Sequence, residues 1–311
     1  LKKKFFNLEI CVCAHLTQIR HAQKACAEMR LKMDNQFNTP AQVVEGNING
    51  AVTKANLPLG KMILLAIWAG AFVAIGANSS SVAAHSVQSV GVARALAGTI
   101  FPVGLLMIIL IGGELFTGNC LMTMSALEKK ITWGKMFRNL VVVYFANLAG
   151  SLVVAVLGYF SGQFNYSGGA LGAYTINVAV SKASIRPGAA FASGILCNVL
   201  VCLAILLAAT AKDIIGKIFA CFFPIFAFVT AGFEHCVANM YYIPAGLLAK
   251  LNPQYVDKAR EIYNLTDEKL SALSVTGMIR NLIPVTLGNF VGGAVCVGVM
   301  AYLIYRKDWT K

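Results

Sequence analysis

Two glutamates stand inside long apolar stretches of this chain, and an asparagine follows each of them five residues later: Glu114-Leu-Phe-Thr-Gly-Asn119 and Glu234-His-Cys-Val-Ala-Asn239. An ionisable side chain at bilayer depth costs about 2.5 kcal/mol or more, so it normally faces a polar partner or a water-filled cavity rather than lipid. The two segments therefore predict a pair of related, buried polar sites in a protein that spans a membrane.

The similarity between the two halves of the chain continues beyond these segments. The shared positions are Arg138–Leu140, Asn147 and Gly150 in the first half and Arg280–Leu282, Asn289 and Gly292 in the second. Five identities at one fixed offset are hard to attribute to chance. The chain is therefore predicted to contain a duplicated unit.

The composition agrees with a membrane protein. Hydrophobic residues make up 58% of the chain and charged residues 13%, whereas a soluble domain usually carries roughly 25% charged residues. Six apolar stretches are long enough to cross a bilayer. They are Lys61–Ala83, Ala95–Leu127, Leu140–Phe160, Gly188–Ala211, Ile218–Ala249 and Leu282–Tyr305.

The second and fifth stretches are too long for one straight crossing. They hold 33 and 32 residues, although a helix crosses the hydrocarbon layer in about 20. Glycines indicate where each helix breaks, at Gly112-Gly113 and Gly118 in the second stretch and at Ala231-Gly232 in the fifth. Non-helical backbone at this depth is tolerated only where it is buried in protein or lines a cavity.

Three spans per repeat is an odd number, so the two repeats, at about 61–160 and 188–305, must cross the membrane in opposite directions. The predicted fold is an all-α membrane protein with six transmembrane helices in a 3+3 inverted repeat, in which helices two and five are broken. Broken helices at corresponding positions of two inverted halves indicate a substrate path near the midplane. The amino ends of the half-helices offer partial positive charge there.

The charged residues predict the orientation. Lysines and an arginine fill the segment between spans two and three, and two lysines flank the connection between spans four and five; the residues are Lys129, Lys130, Lys135, Arg138, Lys212 and Lys217. Such segments face the cytoplasm, which places both termini inside. The same bias accounts for much of the net charge of +13, so no nucleic-acid partner is expected.

The amino-terminal region is predicted to lie outside the membrane. Residues 1–38 have the character of a flexible or artefactual extension ahead of a transmembrane channel domain at 39–311. Residues 39–56 predict a short interfacial helix, capped by Thr39 with Pro40 in its first turn. The nine cysteines show no metal-ligand spacing, and neither a metal nor another cofactor is expected.

Three segments resemble the signature segments of the formate/nitrite transporter family: Gly112–Asn119, Gly232–Met240 and Asn281–Asn289. The resemblance runs from about Thr39 to Tyr305. It implies an aquaporin-like protomer fold, a homo-pentamer with one pore in each protomer, and passage of small monovalent weak-acid anions across the inner (plasma) membrane. Formate is the leading candidate, and nitrite and hydrosulfide are the alternatives within the family.

The resemblance also assigns pore residues. His235 matches the family's central histidine and Thr117 the threonine that hydrogen-bonds it, while Lys182, expected in the outer loop before span four, matches a vestibule lysine. Two further positions match pore-lining asparagines, Asn198 and Asn289. The residues that match the two constrictions are Leu105, Leu115 and Phe116 on the cytoplasmic side and Phe101, Val201 and Phe228 on the outer side.

The two glutamates are interpreted as structural acids. Glu114 and Glu234 are expected to accept hydrogen bonds from the unpaired amides at the starts of the half-helices, because a carboxylate that lined an anion pore would repel its cargo. Lys182 and the half-helix ends would concentrate the anion, and His235 would share a proton with it, since histidine titrates near physiological pH. The sequence leaves open whether the result is a channel or a proton symporter.

Two other classes of protein fit the sequence less well. A neutral-solute pore of the aquaporin type would be expected to carry Asn-Pro-Ala segments at its breaks, where this chain has Phe-Thr-Gly and Cys-Val-Ala. A membrane-embedded enzyme would need a nucleophile with its base or a metal cluster, and the apolar stretches offer a single histidine. The sequence favours a transporter over both.

Overall fold

The computed structural model describes residues 19–26 and 37–305. The chain divides into two compact units, Leu1–Asn38 and Thr39–Lys311. In the first unit, residues 19–26 are helical, and most of the predicted extension lies outside the described residues. The second unit contains the predicted membrane domain.

The described part of the second unit is built from helices and contains no β-strand. Six helices are long and apolar enough to cross a membrane, as predicted. They are Leu59–Ala84, Val90–Ile111, Trp133–Phe160, Pro187–Thr210, Ile214–Ala231 and Val275–Tyr305, and we number them spans one to six. Span two bends between Val90–Ile100 and Val103–Ile111, and span six changes to a π-helix at Val291–Val299.

Spans three and six begin earlier than the apolar stretches predicted. Span three starts at Trp133 and span six at Val275, each seven residues before the predicted start (140 − 133 and 282 − 275). The side chain of Thr132 caps span three by accepting a hydrogen bond from the third backbone N–H of the helix. Ser274 caps span six in the same way. The apolar stretches start after Arg138-Asn139 and after Arg280-Asn281, because hydropathy falls at these polar pairs. The helices themselves start at their caps, which lie outside the apolar stretches.

Both predicted helix breaks are present. Span two ends at Ile111, Gly112 has a φ of 105°, and the helix resumes at Phe116. Span five ends at Ala231, Gly232 has a φ of 76°, and the helix resumes at Cys236. Glycine is required at both positions, because a positive φ of this kind is strained for other residues.

The predicted break at Gly118 is wrong, because Gly118 lies inside the helical stretch that follows the first break. A Cβ atom added there would lie 2.7 Å from the Cδ1 atom of Ile205 in span four. This glycine therefore permits close packing rather than a turn. The stretch consists of Phe116–Asn119, a 3-10 turn at Cys120–Met122, and Thr123–Leu127.

We call residues 116–127 the first half-helix and Cys236–Ala249 the second half-helix. Each follows a break and packs among the spans. Their lengths are short for a membrane crossing, since a helix rises about 1.5 Å per residue.

The structure extends the repeats beyond the predicted bounds. Each repeat begins with a helix ahead of its first span, Pro40–Ala55 in the first and Tyr166–Ala183 in the second. Thr39 caps the first of these with a capping box, as its sequence predicts. The second was not predicted, and Lys182 lies in its last turn rather than in a loop.

The segment between the second half-helix and span six is also helical. It contains two helices, Pro253–Tyr263 and Asp267–Ala272. Tyr255 donates to Asn165 at 2.6 Å, and Lys258 donates to the carbonyl of Gly168 at 2.7 Å. These contacts fix the start of the helix that carries Lys182.

Candidate functional site

The amino ends of the two half-helices meet in the buried interior of the second unit. Thr117, the second residue of the first half-helix, places its Oγ1 atom 3.0 Å from the Nε2 atom of His235, which precedes the second half-helix. Both side chains are buried. The predicted pairing of these two residues is therefore present in the structure.

The second ring nitrogen of His235 is also occupied. The backbone N–H of Ala238 donates to His235 Nδ1 at 3.1 Å, so the imidazole caps the second half-helix. A neutral imidazole has one donor and one acceptor nitrogen. Because Nδ1 accepts, Nε2 carries the hydrogen and donates to Thr117, and the Thr117 hydroxyl is left with its own hydrogen to donate.

Two asparagines satisfy the first amides of the half-helices. Asn147 Oδ1 accepts from the N–H of Phe116 at 3.0 Å, and Asn289 Oδ1 accepts from the N–H of Cys236 at 2.8 Å. The prediction that glutamates accept these amides was wrong. An asparagine does this without placing a negative charge at the site, and its own amide donates to carbonyls of the same break.

Glu234 instead belongs to an ion-pair network. Its carboxylate lies 2.8 Å from Lys182 Nζ and accepts from Asn239 at 2.6 Å and from Asn281 at 3.4 Å. Lys182 Nζ also lies 5.2 Å from the ring centroid of Tyr242. We call Lys182, Glu234, Asn239 and Asn281 the second ion-pair network.

The first repeat contains the corresponding set. Glu114 lies 2.7 Å from Lys54 Nζ and accepts from Asn119 at 2.6 Å and from Asn139 at 3.5 Å. We call these four residues the first ion-pair network. Each network neutralises a buried carboxylate, which is the condition under which a buried charge is tolerated.

The two ion-pair networks differ in whether the side-chain oxygen of the half-helix asparagine, Asn119 or Asn239, accepts a hydrogen bond. Asn119 Oδ1 accepts from Lys54 Nζ at 2.9 Å. In the part of the chain that the structure describes, the buried Asn239 Oδ1 has no hydrogen-bond partner. The lysine of the first network thus bridges an acid and an amide, whereas Lys182 pairs with its acid.

The asparagines predicted to line the pore are held by the backbone. Asn198 Nδ2 donates to the carbonyl of Thr117 at 3.2 Å and to that of Asn289 at 2.6 Å. Both asparagine side chains are fully buried. Asn198 therefore links the first half-helix to span six, and a contact with substrate stays a prediction.

The residues matched to the outer constriction are packed together. Phe101 meets Phe228 edge to face with ring centroids 5.4 Å apart, and Phe228 stacks on His235 at 6.0 Å. Val201 is buried as well, and so is Leu105, which was matched to the cytoplasmic constriction. This arrangement places apolar rings directly beside the imidazole, while their role as a constriction stays a prediction.

Leu115 and Phe116 lie at the start of the first half-helix and are buried. The Phe116 ring contacts Tyr144 of span three edge to face at 5.2 Å. Tyr144 was not identified from the sequence. Phe116 of the predicted cytoplasmic constriction is thus the chain neighbour of Thr117.

The sequence reasoning also missed Lys54, although the chain carries a signal for it. Lys54-Ala-Asn-Leu-Pro58 and Lys182-Ala-Ser-Ile-Arg-Pro187 share a lysine, an alanine, a polar residue and an aliphatic residue before a proline. The two lysines end corresponding helices. A search for repeats upstream of the first apolar stretch would have paired them.

The central side chains are suited to hydrogen-bonding a small solute. No cluster of three or more potential metal ligands occurs among the described residues. The central side chains offer a hydroxyl and an imidazole between apolar rings, which can hydrogen-bond a small anion or its conjugate acid.

A family model described as "Formate/nitrite transporter" matches residues 41–303. The chain belongs to the formate/nitrite transporter family. The match confirms the resemblance stated from the three signature segments. Because the family consists of transporters, the match also rules against a membrane-embedded enzyme.

Relatives extend over nearly the whole chain. A "Probable formate transporter" of Methanothermobacter thermautotrophicus is 36% identical, with 89% of this chain and 100% of the relative covered. "Formate channel FocA" of Haemophilus influenzae is 34% identical, with 86% and 95% covered. The Escherichia coli K12 protein of the same name is 32% identical, with 89% and 99% covered.

Solved structures confirm the fold. A "Pentameric formate channel with formate bound" has a TM-score of 0.70 at 35% identity, covering 80% of this chain and 98% of its own. An "FNT family ion channel" has a TM-score of 0.72 at 28% identity, covering 84% and 98%. The protein is a multi-pass membrane protein of this architecture.

Proposed function

We propose that the protein carries small monovalent weak-acid anions, formate first among them, through a pore in each protomer of a homo-pentamer. Three relatives bear names that refer to formate, and one similar structure is titled as a pentamer with formate bound. The proposal places the protein in the inner (plasma) membrane with both termini in the cytoplasm. Nitrite and hydrosulfide are the alternative cargoes.

The hydrogen bond between Thr117 and His235 carries this proposal. This bond joins the amino end of the first half-helix to the amino end of the second. Partial positive charge at helix amino ends favours an anion. The Thr117 hydroxyl, which receives the Nε2 hydrogen of His235, can donate its own hydrogen to a carboxylate oxygen there.

Neutralisation of the anion is the second part of the proposal. The flanking rings of Phe101 and Phe228 make an unpaired charge costly, because an ion loses its hydration in an apolar passage. We propose that the anion crosses as its neutral acid, sharing the proton with Thr117 and His235 at the midpoint. Each transit then moves one anion and one proton together.

The geometry adds a condition to proton uptake by His235. A proton can be added at Nδ1 only when that nitrogen stops accepting from the N–H of Ala238. Full protonation of the ring therefore removes the cap of the second half-helix. We propose that His235 holds the added proton only briefly, while the anion is at the midpoint, and passes it to the anion through the Thr117 hydroxyl.

The ion-pair networks modify the role proposed for Lys182. Its ammonium is paired with Glu234 and its side chain is 16% exposed, so much of its field is cancelled locally. We propose that Lys182 chiefly holds Glu234 and the second half-helix. The attraction of anions then depends more on the half-helix ends.

The test is a His235→Asn variant in proteoliposomes. Asparagine retains the ability to cap a helix and to hydrogen-bond Thr117, but it cannot titrate. Formate flux and internal pH are recorded together across a pH series. We expect the variant to conduct formate with a lower proton-to-formate ratio, and an unchanged ratio with an unchanged pH dependence would contradict the proton-sharing role.

The cargo is tested in the same vesicles. Uptake of formate, nitrite and hydrosulfide is compared with glycerol-driven swelling. Formate uptake above that of empty vesicles, without glycerol swelling, supports the proposal. Glycerol permeation without anion uptake would favour the neutral-solute pore.

A further inference from the structure

Tyr144 of span three and Thr286 of span six occupy equivalent positions in the two repeats. They are 142 residues apart, the offset that also separates Asn139 from Asn281 and Asn147 from Asn289 (281 − 139 and 289 − 147). A pseudo-two-fold axis exchanges equivalent residues. Two equivalent residues that touch must therefore lie on either side of that axis.

These two residues do touch. Thr286 Oγ1 donates to the hydroxyl oxygen of Tyr144 at 3.1 Å. Both side chains are half-buried. Since asparagines 147 and 289 follow them by three residues, each lies one turn from the group that satisfies the start of a half-helix.

Tyr144 also contacts the start of the first half-helix. The Tyr144 ring packs against Phe116, with centroids 5.2 Å apart. A chain of contacts therefore runs from Thr286 across the axis to Tyr144 and on to Phe116 at the start of the first half-helix.

We propose that the hydrogen bond between Tyr144 and Thr286 positions Phe116 and so helps to set the size selectivity of permeation. This inference rests on the proposed function, because it concerns which anions pass. Phe116 adjoins Thr117, so a displacement of its ring changes the space beside the central hydroxyl. The hydrogen bond fixes the Tyr144 ring, and the ring in turn limits the movement of Phe116.

The experiment compares uptake of acetate and formate by proteoliposomes that contain the full chain. Acetate is the larger carboxylate and reports on the width of the pore. Tyr144→Phe keeps the ring but removes the hydroxyl, and we expect it to raise the acetate-to-formate ratio about fivefold, the effect of one ordinary hydrogen bond. Thr286→Val should give a similar rise.

A double variant and two controls complete the design. Combining Tyr144→Phe with Thr286→Val should raise the ratio no further than either change alone, because both remove the same bond. Thr286→Ser retains a hydroxyl and should keep the parent ratio. Tyr241→Phe removes a different interhelical bond, 2.8 Å to Asn78, and should leave the ratio unchanged.

The outcomes separate this inference from the proposed function. A parent protein without formate uptake would overturn the proposed function. A parent that carries formate, with the acetate-to-formate ratio unchanged in both hydroxyl variants, would overturn the inference alone. A rise in Tyr241→Phe equal to that in Tyr144→Phe, or additive effects in the double variant, would also overturn it.

Discussion

Replacing the lysine of each ion-pair network in turn should lower the free energy of unfolding by different amounts. In the second network, the Lys182 and Glu234 side chains are 16% and 7% exposed, whereas Lys54 in the first network is 36% exposed. Breaking a buried pair from one side leaves an uncompensated charge and costs about 3 to 5 kcal/mol. Water can replace a more exposed lysine, so we expect about 1 kcal/mol for Lys54→Gln.

The assay is thermal or denaturant unfolding of the purified variants in one detergent. Lys182→Gln should lower the free energy of unfolding by several times the amount that Lys54→Gln does. Adding Glu234→Gln to Lys182→Gln removes the unpaired charge and should restore much of the loss. Equal losses in the two lysine variants, or no recovery in the double variant, would refute the reasoning from burial.

Three further outcomes are expected. Shortening both Phe101 and Phe228 to alanine should raise formate conductance and loosen size selectivity in proteoliposomes, whereas unchanged flux with a stability loss of about 3 to 5 kcal/mol would identify them as core aromatics. Gly292→Ala should prevent assembly on size-exclusion chromatography, since its Cβ would lie 2.3 Å from a backbone carbonyl oxygen of span four, and a normally assembled variant would contradict this. Deleting residues 1–32 should leave assembly and formate flux unaltered, and lost assembly would show that the segment is structural.

The sequence predicted features that depend on local patterns. Apolar length located six spans, and Gly112 and Gly232 located the breaks, because a positive φ is a local requirement. The pairing of Thr117 with His235 came from the family resemblance and is present in the geometry. Gly118 looked like a third break, but interhelical packing explains that glycine.

The features that were missed depend on contacts between distant helices. Lys54 reaches Glu114 across 60 residues, and Thr286 reaches Tyr144 across 142. The offset between repeats changes from 128 at the lysines to 120 at the glutamates (182 − 54 and 234 − 114). A single fixed offset therefore could not align the two halves completely, and the partners of the buried acids stayed hidden.

The central pair has a consequence for the kinetics of transport. Thr117 and His235 are not equivalent positions, because the 120-residue offset pairs Thr117 with Val237 and His235 with Leu115. Each repeat thus contributes half of one polar midpoint, not a complete site of its own. Uptake should accordingly follow a single hyperbola with anion concentration, and two permeant anions in a mixture should compete simply, without the mutual displacement typical of pores that hold a row of ions.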